Sequence, residues 1–129
     1  MTTRELINAA CSVAGVYKPS KNCESGSVGA AVLTKDGNIH TGVCIDTACS
    51  LGFCAEHAAI AEMLKHRESR IEMVVAVTDK GKIIPPCGRC RELLAQINED
   101  NMKAKVIISK NKTVTLRDML PYYWMDVFK

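Results

Sequence analysis

Two short stretches, Cys54-Ala55-Glu56 and Pro86-Cys87-Gly88-Arg89-Cys90, constrain this chain more than anything else in it. A Cys-x-x-Cys pair on the first turn of a helix puts both sulfurs on one face, and Gly88 lets the backbone come close to whatever they hold. Zinc prefers tetrahedral nitrogen and sulfur donors, and a catalytic zinc takes three protein ligands and keeps its fourth position open. Cys87 and Cys90 therefore need a third donor from a separate element, and Cys54 is the candidate. Any fold of this chain has to bring residue 54 and residues 87–90 together.

The order of elements follows from local patterns. Thr2-x-x-Glu5 is a capping-box pattern, and Leu6, Ile7, Ala10, Val13 and Ala14 recur at helical spacing, so residues 2–16 read as an amphipathic helix with Cys11 on its apolar face. Residues 17–26 are rich in Lys, Pro, Ser, Asn and Gly and read as a loop. Residues 28–33 and 39–45 flank Asp36-Gly37 and read as a hairpin. The small residues Gly29, Ala30 and Ala31 would let either a crossing helix or a ligand lie close to its first strand. Ala58 to Leu64 make a helix that opens at Cys54, with Phe53 expected in the core. Residues 71–77 are almost continuously apolar, as in a strand buried on both faces. Cys87 opens another helix carrying Leu93, Leu94 and Ile97. A strand at 105–109, a short one at 113–115 and a helical turn at 116–120 lead to the aromatic tail Tyr122-Tyr123-Trp124. This order implies a single domain over residues 1–129, a three-layer α/β/α sandwich around a mixed sheet of about five strands.

Composition narrows the partners. A length of 129 residues with 47% apolar content suffices for one buried core, and a net charge of +3 with no basic run argues against a nucleic-acid surface. No stretch approaches the ~20 apolar residues that span a bilayer, and no apolar segment follows Met1-Thr-Thr-Arg-Glu as a secretory leader requires, so the expected location is the cytoplasm. Seven cysteines are an odd number, which fits metal ligation at three of them better than a disulfide scaffold and leaves Cys11, Cys23, Cys44 and Cys49 over.

Three thiolates around Zn²⁺ carry a net charge of minus one. Two helix N-termini, each equivalent to roughly +0.5 charge, offset part of it. His57, Arg89 and Arg91 flank the ligands and are candidates to donate hydrogen bonds to the sulfurs. Glu56 need not bind the metal; it can take a proton from water, pass it to a ring nitrogen and then to a leaving amine. Together these residues point to hydrolytic removal of an amino group, with one zinc per chain. A non-enzymatic zinc module, with Cys49 or His57 as a fourth ligand, has no use for Glu56. A redox protein using Cys87 and Cys90 explains neither Cys54 nor Glu56.

Cys54-Ala-Glu56 with Pro86-Cys-Gly-Arg-Cys-Arg91 resembles the all-cysteine branch of the cytidine deaminase superfamily, which includes the small cytidine deaminases and the blasticidin S deaminases. Similarity extends to Val28-Gly-Ala-Ala31, Arg91-Glu-Leu-Leu94 and Leu116-Arg-Asp-Met-Leu-Pro121. The resemblance implies deamination of a cytosine nucleoside or an aminopyrimidine nucleoside antibiotic, a homotetramer, and substrate contacts at Ser27, Asp46, Ala55 and Trp124, the last closing over the base from the same or a neighbouring subunit. Three departures bear on substrate. Cys44-Ile45-Asp46 stands where the family has Asn-x-Glu for the ribose, Gly26 stands where it has Phe, and His57 stands where it has Arg.

Overall fold

Thr2 caps the first helix: its Oγ1 accepts the Glu5 backbone N–H at 3.2 Å. That helix, α1 (Thr3–Val13), buries Leu6 and Ala10 and stops before Gly15. The computed structural model describes residues 2–129. Seven strands follow: β1 (Tyr17–Ser20), β2 (Cys23–Thr34), β3 (Ile39–Thr47), β4 (Ile71–Thr78), β5 (Ile83–Ile84), β6 (Lys105–Ser109) and β7 (Lys112–Thr115). Two more helices, α2 (Ala55–Lys65) and α3 (Gly88–Ile97), separate them, and short 3₁₀ turns close the chain.

The sheet is built on β2 and β4. β3 pairs with one edge of β2, and β4 pairs with the other from Val28↔Thr78 to Thr34↔Ile71, both antiparallel. β4 and β6 are parallel, at Met73↔Lys105 and Val74↔Val106, so α3 serves as their crossover. β7 finishes the sheet antiparallel to β6. The row β3-β2-β4-β6-β7 is the expected five-stranded mixed sheet, and β1 and β5 are additions to β2 and β4.

β1 corrects the expectation of a loop over residues 17–26. It pairs with β2 through Tyr17↔Ser25 and Ser20↔Cys23. All four of its residues are exposed, so no apolar alternation marks it in the sequence.

Period-two alternation divides the core between two layers. Val32, Val74 and Val106 pack with Ile60 and Met63 of α2 and Leu94 of α3, while Ala31, Leu33, Met73, Val75 and Ile107 pack with Leu6 and Ala10 of α1. Fully burying a Val, Leu, Ile or Met side chain is worth about 1.5–3 kcal/mol, so both layers are firmly held. The small residues on β2 serve helices. A Cβ on Gly29 would lie 2.6 Å from the Ala10 carbonyl oxygen and 3.0 Å from the Ala14 Cβ, so α1 occupies that space and no ligand can. Cys11 lies half-buried against the same layer. Among the described residues no helix is long and apolar enough to cross a membrane.

Candidate active site

α2 and α3 each begin on a cysteine. Cys54 and Cys87 are the N-cap residues, both in extended backbone geometry, and neither side chain is used to cap its helix. Both sulfurs are thereby free to face each other, at 3.4 Å, and Cys87 lies 3.5 Å from Cys90 one turn into α3. These are free thiols and not disulfides. A zinc ion with Zn–S bonds near 2.3 Å in tetrahedral geometry requires sulfurs about 3.8 Å apart, so the cluster fits the metal with only small adjustments.

His57 joins this group. Its Nδ1 is 3.5 Å from the Cys90 sulfur, and donor atoms of Cys54, His57 and Cys90 all lie within 4.8 Å of one another. Burial and the nearby Arg89 charge push the imidazole below its usual range, favouring the neutral ring, which can bind a metal through nitrogen. Cys49, the other candidate fourth ligand, sits on an exposed turn and is not part of the cluster.

The thiols differ. Burial pushes Cys90 far above the ordinary thiol range, with Glu56 adding to the effect, and burial also raises Cys54. Burial likewise opposes ionisation of Cys87, but the Cys90 backbone N–H and the neighbouring thiols outweigh it, so Cys87 is lowered. Arg91 does not reach the sulfurs. Its Nε donates to the Pro86 carbonyl at 2.8 Å and its Nη1 to the Met119 carbonyl at 3.4 Å, which braces the loop preceding Cys87. Arg89 lines the cleft beside the cluster.

That cleft encloses about 490 Å³ and is walled by the start of β2, the end of β3, the Gly52–Glu56 segment and the Ile84–Cys87 loop. Glu56 is 4% exposed at its floor. Burial pushes its carboxyl above the usual range, opposed in part by its own backbone N–H and the Cys90 thiol. A carboxyl in that position carries a proton more readily than a surface one, as a group shuttling protons near neutrality must.

Of the expected substrate contacts, Ser27, Asp46 and Ala55 line the cleft. Trp124 does not line the cleft of its own chain; it is 54% exposed, and its Nε1 donates to Glu92 Oε1 at 3.0 Å. Phe53 corrects the expectation of a core ring. It is 37% exposed, lines the cleft and stacks on His57 with ring centroids 6.3 Å apart at 16°. The sequence hid this because Phe53 pairs backbone to backbone with Ile45, an isolated bridge that turns its side chain towards the mouth of the site.

Two departures from the family pattern have structural reasons. Gly26 has φ +84°, and a Cβ there would lie 1.9 Å from the Gly15 carbonyl oxygen, so no Phe fits. Cys44 is buried at the cleft wall, where its sulfur accepts the Val28 N–H at 3.3 Å and lies 3.2 Å from Ser27 Oγ. It lines the cleft, with its sulfur held by these two contacts.

Comparison with known proteins agrees with this geometry. A family model described as the cytidine and deoxycytidylate deaminase zinc-binding region matches residues 2–108. A cytidine deaminase of Halalkalibacterium halodurans is 29% identical over 110 residues, 83% of this chain and 81% of that one. A blasticidin-S deaminase of Bacillus cereus is 28% identical over 127 residues, 91% of this chain and 88% of that one. The crystal structure of cytidine deaminase from Mycobacterium leprae aligns with a TM-score of 0.79 and 30% identity, covering 94% of this chain and 98% of that one. With the matched region containing the thiol cluster, Glu56 and most of the sheet, the chain belongs to the zinc-binding cytidine and deoxycytidylate deaminase family.

Proposed function

We propose that the protein hydrolyses the 4-amino group of a cytosine nucleoside or nucleoside analogue to a carbonyl, consuming water and releasing ammonia. The observation that carries this reading is the buried Glu56 on the floor of a cleft whose wall is a zinc-fitting thiol cluster. Cys54, Cys87 and Cys90 hold the metal, and His57 orients the Cys90 sulfur. Bound zinc supplies a Lewis acid and lowers the pKa of a water from about 15.7 towards roughly 7. Glu56 accepts the proton of the attacking water, delivers it to the ring nitrogen and then protonates the departing amine. Ala55 and Ser27 flank the base, and Asp46 accepts a hydroxyl of the substrate.

A blasticidin-type substrate is the second reading, favoured by the near full-length match to the Bacillus cereus protein and by Cys44 in place of a ribose-binding amide. Ammonia release from cytidine, deoxycytidine, cytosine and blasticidin S separates the two. With cytidine as substrate, Asp46→Ala is expected to raise KM by roughly 10- to 150-fold, the equivalent of the about 1.5–3 kcal/mol of a hydrogen bond to a charged group. An unchanged KM would place the sugar elsewhere.

Trp124 acts, in this reading, on a neighbouring subunit of a homotetramer. Support comes from its distance from its own cleft and from the exposed tail it shares with Tyr122, Val127 and Phe128. Trp124→Ala should raise KM by a factor matching the roughly 1–3 kcal/mol of a base–aromatic stack. Mixed with Glu56→Gln after subunit exchange, it should recover part of the activity, because some sites then combine an intact Glu56 with an intact Trp124. No recovery, with exchange itself demonstrated, would leave Trp124 acting in its own chain or not at all.

A further inference from the structure

The chain has three histidines, and only His57 belongs to the thiol cluster. The other two meet at the opposite end of α2. His40 on β3 and His66, the C-cap of α2, have ring centroids 5.1 Å apart. One ring nitrogen of each and a carboxylate oxygen of Glu62 lie within 4.8 Å of one another. They line a cleft of about 570 Å³ shared with Glu68 and Asn38.

Both rings are already held in the manner of metal-binding histidines, which pair one nitrogen with a carboxylate or a carbonyl and leave the other for the ion. His40, only 7% exposed, has Nε2 at 2.8 Å from Glu68 Oε1. Glu68 is fixed in turn by Asn38, whose Nδ2 donates to Oε2 at 3.2 Å. With Nε2 committed to Glu68, Nδ1 is the ring nitrogen left to offer an ion. His66 Nδ1 lies 3.0 Å from the Glu62 carbonyl oxygen, which leaves its Nε2 free.

We propose that His40, His66 and Glu62 form a second site for a divalent transition-metal cation, with Glu68 as the positioning residue for His40. Two imidazoles and a carboxylate suit zinc, nickel or copper better than calcium or magnesium. The site is separate from the thiol cluster: α2 spans 11 residues, and at 1.5 Å per residue its ends are about 16 Å apart. A bound ion would clip β3 to the last turn of the helix whose first turn carries Glu56.

The test is metal stoichiometry on tag-free, zinc-loaded protein by equilibrium dialysis against buffered free Zn²⁺. Wild type is expected to take up two equivalents, and His66→Gln, a change at an exposed position, one, with ammonia release unaltered. Glu68→Gln should retain the second equivalent with roughly 10- to 100-fold weaker affinity, the usual effect of losing an outer partner. A single equivalent in wild type, or a second equivalent that survives in His66→Gln, would overturn the site.

Discussion

Glu56→Gln leaves zinc content and folding intact and lowers turnover at least ~10²-fold, the low end of what a positioned acid/base contributes. The amide has the shape of the carboxyl but cannot carry a proton from water to the ring and on to the amine. The side chain is 4% exposed and burial already disfavours its charged form, so a neutral replacement removes a cost from the folded state. Unchanged or slightly raised thermal stability is therefore expected together with the loss of activity, a pairing that a merely structural glutamate would not give. Metal analysis, Tm and ammonia release on the same preparation check all three. Turnover near the wild-type value would mean that another group moves the protons.

Cys87→Ala loses the catalytic zinc and, with it, much of the soluble protein. Cys87 lies within 3.5 Å of both other sulfurs, so removing its thiol takes out the donor that links them. Binding free energy at such a site is also folding free energy, because the donors converge only in the folded chain. His57→Gln is the companion experiment. If the three sulfurs bind the metal and His57 only orients Cys90, His57→Gln keeps its zinc. Zinc lost from His57→Gln and retained in Cys87→Ala would make the set Cys54, His57 and Cys90, whose donors also converge.

Most of the thiol cluster was legible in the chain itself. The Thr2 cap, the Asp36-Gly37 turn and the cysteines that open α2 and α3 are local signals, each carried by a few consecutive residues whose backbone preferences and spacing do not depend on distant contacts. The order of strand-like and helical segments likewise implied a three-layer sandwich around a mixed sheet of about five strands, while the order of those strands came from the fold. β1 left no such trace, because a strand with four exposed residues has no buried face to pattern.

Tertiary structure alone decided what surrounds the cluster. The cleft wall comes from β2, β3 and two loops, and which of their side chains face inward depends on register and on single backbone bridges. Phe53 therefore turned out to line the cleft where a core position was expected, Trp124 lies away from it, and Arg91 braces a loop where contact with sulfur was expected. The meeting of His40 with His66, and the close approach of Gly29 to α1, were equally invisible, since each pairs residues from elements far apart in sequence. By itself the sequence determined which residues could bind zinc and move protons, because that chemistry resides in residue type and short spacing. The fold decided which of them share a cavity, because packing is settled by contacts that consecutive residues do not encode.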